Sequence, residues 1–357
     1  MGIARRGRPC QRHRYDGSPV HRRGIGPRAF LRISQVTLVL VVVNIVTGAA
    51  VRLTDSGLGC PDWPTCSQRR LTPPLSLHPA VEFGNRMIVV ALCACTVVAL
   101  AAAWTRSPRR RDLVWLSGGL VVGVLGEAVL GGVVVYTKLN PYVVMTHFMV
   151  GIALLTDAVV LALRAGREPR AASTALTLKV PRRDLWTSRL MLALLAVAVA
   201  LGAATTAAGP HAGGKGAKRL PVALADMARA HSSVVLVLVG VTLFLLYLLH
   251  RDGAPPSVTD RARLLLAALV VQGLIGYTQY FTHLPAVLVG VHVLGATVVW
   301  TAMLCFHDGL THDGVGESRP SMPPAAGGVD TEADPPIPAP AASAAPRQDG
   351  TTAPVPS

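Results

Sequence analysis

The chain has 357 residues and a formal net charge of +15, and 51% of its residues are hydrophobic whereas only 15% are charged. Soluble proteins carry about 25% charged residues, so this composition excludes a chain that faces water over most of its length. The basic residues lie between apolar segments and near the N-terminus, which argues against nucleic acid as a partner. The composition indicates a membrane protein.

Eight apolar segments follow one another along the chain. Each has close to the 20 or so residues that a helix needs to cross a hydrocarbon core of about 30 Å. They lie at 30–51, 81–104, 113–135, 143–164, 185–207, 226–249, 262–281 and 286–306. The pattern predicts an all-α integral membrane protein with eight transmembrane helices.

Lys and Arg are distributed unevenly among the connecting segments. If the N-terminus is cytoplasmic, the inner segments hold 23 of these residues and the outer loops hold 7. Because Lys and Arg concentrate on the cytoplasmic side, we expect a multi-pass protein of the cell membrane with both termini in the cytoplasm. Residues 1–29 are basic and residues 307–357 are rich in Pro and Ala, so we predict that both tails are disordered.

An internal repeat divides the apolar part of the chain. Adding 145 to three positions of the third and fourth segments gives their counterparts in the seventh and eighth: Glu127 and Gln272, Gly131 and Gly276, His147 and His292. Two halves of four helices each keep the same orientation in a membrane. We therefore predict two pseudo-symmetric four-helix bundles, 30–164 and 185–306, joined by a cytoplasmic linker at 165–184.

Three histidines lie inside the predicted spans at about the same depth: His147, His231 and His292. Ionisable residues within a membrane are costly and indicate functional sites. His231 and His292 belong to the same predicted bundle, and opposed imidazoles on two helices can hold a haem iron. Zinc is a weaker alternative, because no adjacent Cys, Asp or Glu completes a tetrahedral set of ligands.

The first bundle has a different set of polar residues. His147 is the counterpart of His292, but the position that corresponds to His231 is near Asn85, whose amide is a poor iron ligand. This pattern favours a five-coordinate iron or a weakly held substrate beside His147. His78, seven residues before Asn85, is an alternative second ligand.

Two charged residues flank Asn85 at the start of the second span. Glu82 lies one helical turn before Asn85 on the same helix face, and a carboxylate at the mouth of an apolar site can transfer protons. Alternatively, Glu82 is an acidic residue that the helix dipole stabilises. Arg86 could bind a haem propionate, or it could anchor the helix at the membrane surface.

Cys60 and Cys66 lie in the first outer loop, in the segment Gly-Cys-Pro-Asp-Trp-Pro-Thr-Cys. The compartment outside the membrane is oxidising, so we predict a disulfide between these two residues. The bridge would either close the loop or be redox-active.

Several of these segments match a known family. They are the segment 44–64 that runs out of the first span, the Glu-x-x-x-Arg start of the second, Leu130-Gly131-Gly132, and the spacing of the three histidines. Over residues 30–306 the chain resembles the haem A synthases. The resemblance implies an oxidoreductase that converts the C8 methyl of haem O to the formyl group of haem A for terminal oxidases. Successive hydroxylations would give a geminal diol, which loses water.

The resemblance also assigns roles to residues. It implies haem b as an electron-transfer cofactor in the C-terminal bundle, with His231 and His292 as ligands. Haem O would bind in the N-terminal bundle, with His147 as ligand, Glu82 as catalytic residue and Arg86 nearby. The implied partners are a membrane electron donor of unknown identity and, as a candidate, haem O synthase; the oligomeric state is left open. The familiar pattern has histidine where this chain has Asn85.

Two other functions suit a membrane protein with intramembrane histidines. A non-catalytic bis-histidine cytochrome b would carry electrons, but it predicts two complete histidine pairs, and the first bundle lacks one. A transporter built on a parallel repeat would favour charged residues at the membrane midplane, whereas these histidines lie near one face. The haem O-oxidising enzyme is therefore the leading hypothesis.

Overall fold

The computed structural model describes residues 24–66, 76–167, 180–214 and 216–310. Regular structure in these ranges is helical, apart from an isolated bridge between Ile25 and Arg106. The helices are α1 (Pro27–Leu53), α2 (Leu77–Thr105), α3 (Arg111–Tyr136), α4 (Pro141–Ala165), α5 (Arg182–Ala208), α6 (Leu224–Arg251), α7 (Pro256–Phe281) and α8 (Ala286–Leu310). The all-α prediction is confirmed. Most of the two predicted tails and of the predicted linker lies outside the described residues.

All eight helices are long and apolar enough to cross a membrane. Large apolar side chains remain exposed on their surfaces, among them Trp115, Val122 and Val287. Exposure of this extent is unusual for a protein that faces water, but it is expected where helices face lipid. The chain is therefore a multi-pass membrane protein with eight spans, as its hydropathy predicts.

The helices extend beyond the apolar segments that predict them. α1 begins at Pro27 and α8 ends at Leu310, so three or four residues of each predicted tail are helical. α5 begins at Arg182, inside the predicted linker. Hydropathy detects only the crossing of the hydrocarbon core, whereas a helix continues through the headgroup region, where the full bilayer is about 40–45 Å thick.

The helices pack as two rings of four. In the first ring, α1 and α3 each pack against both α2 and α4. In the second ring, α6 and α8 each pack against both α5 and α7. Within the described residues, helices at opposite corners of a ring do not pack directly. The rings meet where α8 contacts α1 and α4, and where α4 contacts α5. The helices at opposite corners of each ring are therefore held apart by the two helices between them.

The turns α3–α4 and α7–α8 have matching backbone conformations. Lys138 and Leu139 have φ values of 52° and 61°, and His283 and Leu284 have values of 64° and 59°. In each turn the second residue donates its N–H to the carbonyl five residues earlier, at 2.9 and 2.7 Å. Positive φ is uncommon outside glycine, so this recurrence after 145 residues supports the predicted repeat at these turns.

The large apolar core occupies the half of the helices where α1 begins. Fully buried large side chains in this half include Phe30, Leu113, Met191, Leu249 and Phe306. In the opposite half, many of the buried side chains are small or polar, including Glu82, Glu127, Ala203, Ala204 and Ala207. The three intramembrane histidines lie in this second half.

Candidate functional site

His231 on α6 and His292 on α8 face each other across the second ring. Their ring centres are 6.4 Å apart and their planes are inclined by 72°. Two imidazole–metal bonds of about 2 Å place the ring centres about 6 Å apart on opposite sides of one metal. The separation therefore fits a single haem iron between the two side chains, and the macrocycle would occupy the space between the diagonal helices.

The ring nitrogens of this pair are also consistent with ligation. Nδ1 of His231 donates to the carbonyl of Ala198 at 2.8 Å, which leaves Nε2 with the lone pair that binds metal. Nδ1 of His292 is buried without a hydrogen-bond partner among the described residues. No group of three or more His, Cys, Asp or Glu side chains in the described part of the chain is arranged to hold a metal, so the donors here are two imidazoles.

A glycine lies against each of these two histidines. A Cβ added at Gly202 would lie 3.2 Å from Cε1 of His231, and one added at Gly276 would lie 3.1 Å from Cε1 of His292. Both distances are shorter than ordinary van der Waals contacts, so a larger residue would displace the ring. Sequence analysis singles out Gly276 through the repeat, but it misses Gly202 because nothing in the spacing pairs α5 with His231.

A glutamine supports the backbone at His292. Nε2 of Gln272 donates to the carbonyl of His292 at 2.8 Å. A Cβ at Gly295 would overlap Oε1 of Gln272, whereas one at Gly273 would have no atom within 4 Å. The glycines near this site therefore differ in function, because Gly276 and Gly295 make room for side chains and Gly273 faces open space.

The first ring places His147 of α4 beside an acid. Nδ1 of His147 lies 2.8 Å from Oε2 of Glu127 on α3, which is within ion-pair distance. The ring N–H does not point at this oxygen well enough to form a regular hydrogen bond. A Cβ at Gly131 would lie 3.7 Å from Cε1 of His147. Gly131 thus has the same relation to His147 as Gly276 has to His292, as the repeat predicts. A carboxylate beside one ring nitrogen orients the imidazole and leaves the other nitrogen for a ligand.

Asn85 of α2 forms an amide and hydroxyl cluster with α1. Its Nδ2 donates to Oγ1 of Thr47 at 2.9 Å and, more weakly, to Oδ1 of Asn44 at 3.4 Å. A Cβ at Gly48 would lie 4.0 Å from this nitrogen, which parallels Gly202 and His231 in the second ring. Asn85 is on α2 and His147 is on α4, and these two helices lie at opposite corners of the first ring.

His78 does not contribute to this cluster. Its Nδ1 lies 3.1 Å from Oγ of Ser56, a buried hydroxyl just beyond the end of α1. The hydrogen bond holds the start of α2 against the α1–α2 loop. The structure thus gives His78 a contact in the loop rather than a place beside Asn85.

Glu82 lies below the α1–α2 loop, where it is almost fully buried and uses both of its carboxylate oxygens. The backbone N–H of Cys60 donates to Oε2 at 2.8 Å, and Nη2 of Arg86 donates to Oε1 at 2.6 Å. Nη1 of Arg86 in turn donates to the carbonyls of Asp62 and Thr65, each at 2.8 Å. Glu82 and Arg86 together bind the loop that the disulfide closes, a contact that the helical spacing of the two residues did not reveal.

The predicted disulfide between Cys60 and Cys66 is present, and both cysteines are buried. The loop between them packs Trp63 against α3. A Cβ at Gly132 would lie 2.9 Å from the Trp63 ring, and the hydroxyl of Tyr136 donates to the Trp63 carbonyl at 3.1 Å. Gly132 therefore provides the notch in which the indole lies, and the loop covers the first ring next to Glu82.

The loops at the histidine-containing end of the helices connect the two rings. Nε of Arg52, at the end of α1, donates to the carbonyl of His211 at 2.7 Å, and Nε2 of His211 lies 2.8 Å from the carbonyl of Leu284. The N–H of Gly57 also donates to the carbonyl of Gly213 at 2.9 Å. These bonds join the α1–α2 loop to the α5–α6 and α7–α8 connections, so they hold the loops of the two rings together.

Comparison with known proteins agrees with this architecture. The sequence profile of the COX15-CtaA family, described as "Cytochrome oxidase assembly protein", matches residues 32–80 and 77–304. This match covers most of the chain and all eight helices. The chain belongs to the COX15-CtaA family.

Individual members of the COX15-CtaA family match a shorter part of the chain. Proteins named "Heme A synthase" from Geobacillus kaustophilus and Geobacillus thermodenitrificans are each 34% identical to it, over 137 and 135 residues. These stretches are 37% and 36% of this chain and 42% and 41% of the relatives. A "Heme A synthase" from Shewanella oneidensis is 31% identical over 149 residues, which is 36% of this chain and 44% of that protein. The chain thus spans less than half the length of the curated relatives it matches.

Proposed function

We propose that this chain is a haem A synthase, which oxidises the C8 methyl of haem O to the formyl group of haem A. The proposal rests on the different side chains that the two rings place at equivalent positions. The second ring has two imidazoles with centres 6.4 Å apart, while the first ring has His147 and, in place of the second imidazole, the amide of Asn85. Membership of the COX15-CtaA family and the names of the matched relatives support the same activity.

We assign a different haem to each ring. Haem b, held by His231 and His292, supplies single-electron transfer when it is bound. Haem O binds in the first ring with His147 as its ligand, and Glu127 orients that imidazole through Nδ1. The functional division into an N-terminal substrate bundle and a C-terminal cofactor bundle follows from this assignment.

Glu82 is the residue we assign to proton transfer at the substrate. Its carboxylate is buried between the first outer loop and α2 and is held by Arg86 and by the N–H of Cys60. A positioned carboxylate contributes about 100- to 10,000-fold to such reactions. The disulfide loop and Trp63 cover this end of the ring, where they would keep bulk water from the substrate.

The location and partners follow from the same reasoning. The excess of Lys and Arg in alternate connections supports a location in the cell membrane with both termini in the cytoplasm. With dioxygen as the oxidant, each hydroxylation of the C8 methyl inserts one oxygen atom, releases the other as water and consumes two protons and two electrons. The reaction therefore needs a membrane electron donor, and haem O synthase is the expected source of substrate.

Haem analysis tests the function directly. The chain is expressed in a bacterial host that makes haem O but lacks haem A synthase, and the haems are extracted and separated. We expect haem A to appear with the native chain and not with His147→Ala. If the protein carries haem b and the host makes haem O, yet no haem A forms, the chain is instead an electron-carrying cytochrome b.

A further inference from the structure

A cleft lies between α3 and α4, on the outside of the first ring and away from the histidines. Its volume is about 580 Å³, which falls within the range of about 300–1,000 Å³ for small-molecule sites. Trp115 forms part of its wall and is 81% exposed. In a membrane helix this exposure faces lipid, so a lipid-soluble molecule can enter the cleft from the bilayer.

The cleft contains an acid that the proposed reaction does not use. Asp157 lies eight residues before Ala165, the last residue of α4, which is about 12 Å along the helix axis. Its Oδ1 is buried without a hydrogen-bond partner among the described residues. A Cβ at Gly119 would lie 2.8 Å from Oδ2, so α3 leaves space for the carboxylate. An acid without such a partner inside a membrane span is costly and indicates a functional site.

The other charged groups of the cleft lie toward its aqueous end. Asp112 binds Arg110 at 2.7 Å, and Arg164 lies 4.0 Å from the same carboxylate. These groups largely satisfy one another near the helix ends, whereas Asp157 is deeper. A lipid acyl chain would gain nothing from the Asp157 carboxylate, so the site is suited to an amphiphile that donates a hydrogen bond at this depth.

A hydrogen bond connects the cleft to the second ring. Nε1 of Trp300 on α8 donates to Oγ1 of Thr156 at 2.9 Å, and Thr156 lines the cleft. Trp300 is buried and lies eight residues from His292 on the same helix, about 12 Å along its axis. The cleft is therefore joined to the cofactor site through one side-chain contact and one helix.

We propose that this cleft binds a lipid-soluble hydroquinone, which is the electron donor of the enzyme. A hydroquinone hydroxyl donates to Asp157, the ring lies beside Trp115, and the tail extends into lipid. The proposal rests on the proposed function, because it supplies the electrons that the oxidation of haem O requires.

The step is balanced in protons and electrons. One hydroquinone becomes a quinone and releases two protons and two electrons. Asp157 accepts the first proton, and the second passes to water at the end of the cleft near Asp112 and Arg164. Haem b, when held by His231 and His292, would accept these electrons one at a time, so one hydroquinone would reduce two equivalents of haem.

Photolabelling tests binding without relying on activity. An azido-naphthohydroquinone, kept reduced under anaerobic conditions, is irradiated with the full-length protein in membranes, and the labelled peptides are identified by mass spectrometry. We expect labelling within α3 and α4, and a loss of at least about tenfold in Asp157→Leu, which removes the acceptor. Asp260→Leu is the matched control, because this exposed acid near the start of α7 is remote from the cleft. Labelling that is confined to other helices overturns the proposal.

Haem reduction tests proton transfer. Reduced naphthoquinone is mixed anaerobically with the ferric holoprotein, and the appearance of ferrous haem is followed. Asp157→Asn keeps a hydrogen-bond acceptor but cannot accept the proton, so we expect labelling to persist and the rate of reduction to fall at least about tenfold. Dithionite should reduce the native and variant proteins equally. If hydroquinone reduces both Asp157 variants at the native rate, the cleft is not the donor site.

The two proposals can fail separately. If α3 and α4 are labelled and haem is reduced through Asp157, but haem A never forms, the donor site stands and the proposed function falls. If haem A forms while labelling maps to other helices, the proposed function stands and the donor site is wrong.

Discussion

The backbone N–H of Cys60 donates to the carboxylate of Glu82 at 2.8 Å, so the first cysteine of the disulfide is attached directly to α2. Arg86 completes the contact, because it binds both Glu82 and the carbonyls of the loop. Glu82 therefore has two potential roles, one in proton transfer and one in holding the loop over the first ring. Variants of Glu82 and Arg86 can separate them.

For Glu82→Gln we expect haem A formation to fall by about 100-fold or more, because the amide cannot transfer the proton. The amide oxygen can still accept the N–H of Cys60, so the loop should stay in place. The haem b spectrum should be unchanged, since His231 and His292 belong to the other ring. Haem extraction gives the activity, and absorption spectroscopy gives the cofactor content.

Arg86→Gln is the matched control for Glu82→Gln. It breaks the same ion pair and the contacts with the loop carbonyls but leaves the carboxylate. A smaller loss of haem A formation than in Glu82→Gln would support proton transfer by Glu82. Equal losses in the two variants would mean that Glu82 acts only by holding the loop.

Replacing His231 or His292 by Ala should abolish the low-spin haem b spectrum. Their ring centres are 6.4 Å apart, and we propose that each side chain provides one of two ligands to the same iron. His147→Ala should retain that spectrum, because His147 lies in the first ring. If His147→Ala loses the low-spin signal while the other two variants keep it, haem b binds in the first ring and our assignment is wrong.

Gly276→Val should lower the haem b content at least several-fold although it removes no ligand. The new side chain would collide with the His292 ring, since even a Cβ would lie 3.1 Å from Cε1. Gly273→Val is the control, because a Cβ there has no atom within 4 Å. The ratio of haem to protein in purified samples measures both. Equal haem contents in the two variants would show that His292 can shift without loss of the cofactor.

Asn85→His should make bound haem O six-coordinate and low-spin. The amide of Asn85 now binds Thr47 and Asn44, and we propose that it faces the side of haem O opposite His147. An imidazole there would supply a second ligand. Electron paramagnetic resonance of the haem O-loaded protein distinguishes the two spin states. An unchanged spectrum would mean that residue 85 does not face the substrate iron.

The disulfide can be examined in native membranes. Cys60 and Cys66 should resist a thiol reagent before reduction and react with it afterwards, once the loop is unfolded to expose them. Cys60→Ser with Cys66→Ser should loosen the loop around Trp63 and lower haem A formation while haem b is retained. Labelling of both native cysteines without reductant would contradict a bridge in the membrane-bound protein.

Much of the architecture is predictable from local patterns. The eight spans follow from the length of the apolar segments, because the thickness of the bilayer sets the length of a helix that crosses it. The equivalence of Gly131 and Gly276, and that of His147 and His292, follows from the offset of 145 residues, whereas the contact between each glycine and its histidine is seen only in the structure. The disulfide follows from two cysteines in one short outer loop.

Other contacts depend on how the helices pack. Cys60 and Glu82 are 22 residues apart, Asn85 and Thr47 are 38 apart, and Arg52 and His211 are 159 apart. Hydropathy shows that a helix crosses the membrane, but every lipid-facing surface is similarly apolar, so it does not show which helices become neighbours. The eight spans and the three intramembrane histidines could therefore be read from the amino-acid order. The anchoring of the loop by Glu82, the pairing of His147 with Glu127 and the cleft around Asp157 were decided only when close packing brought distant residues together.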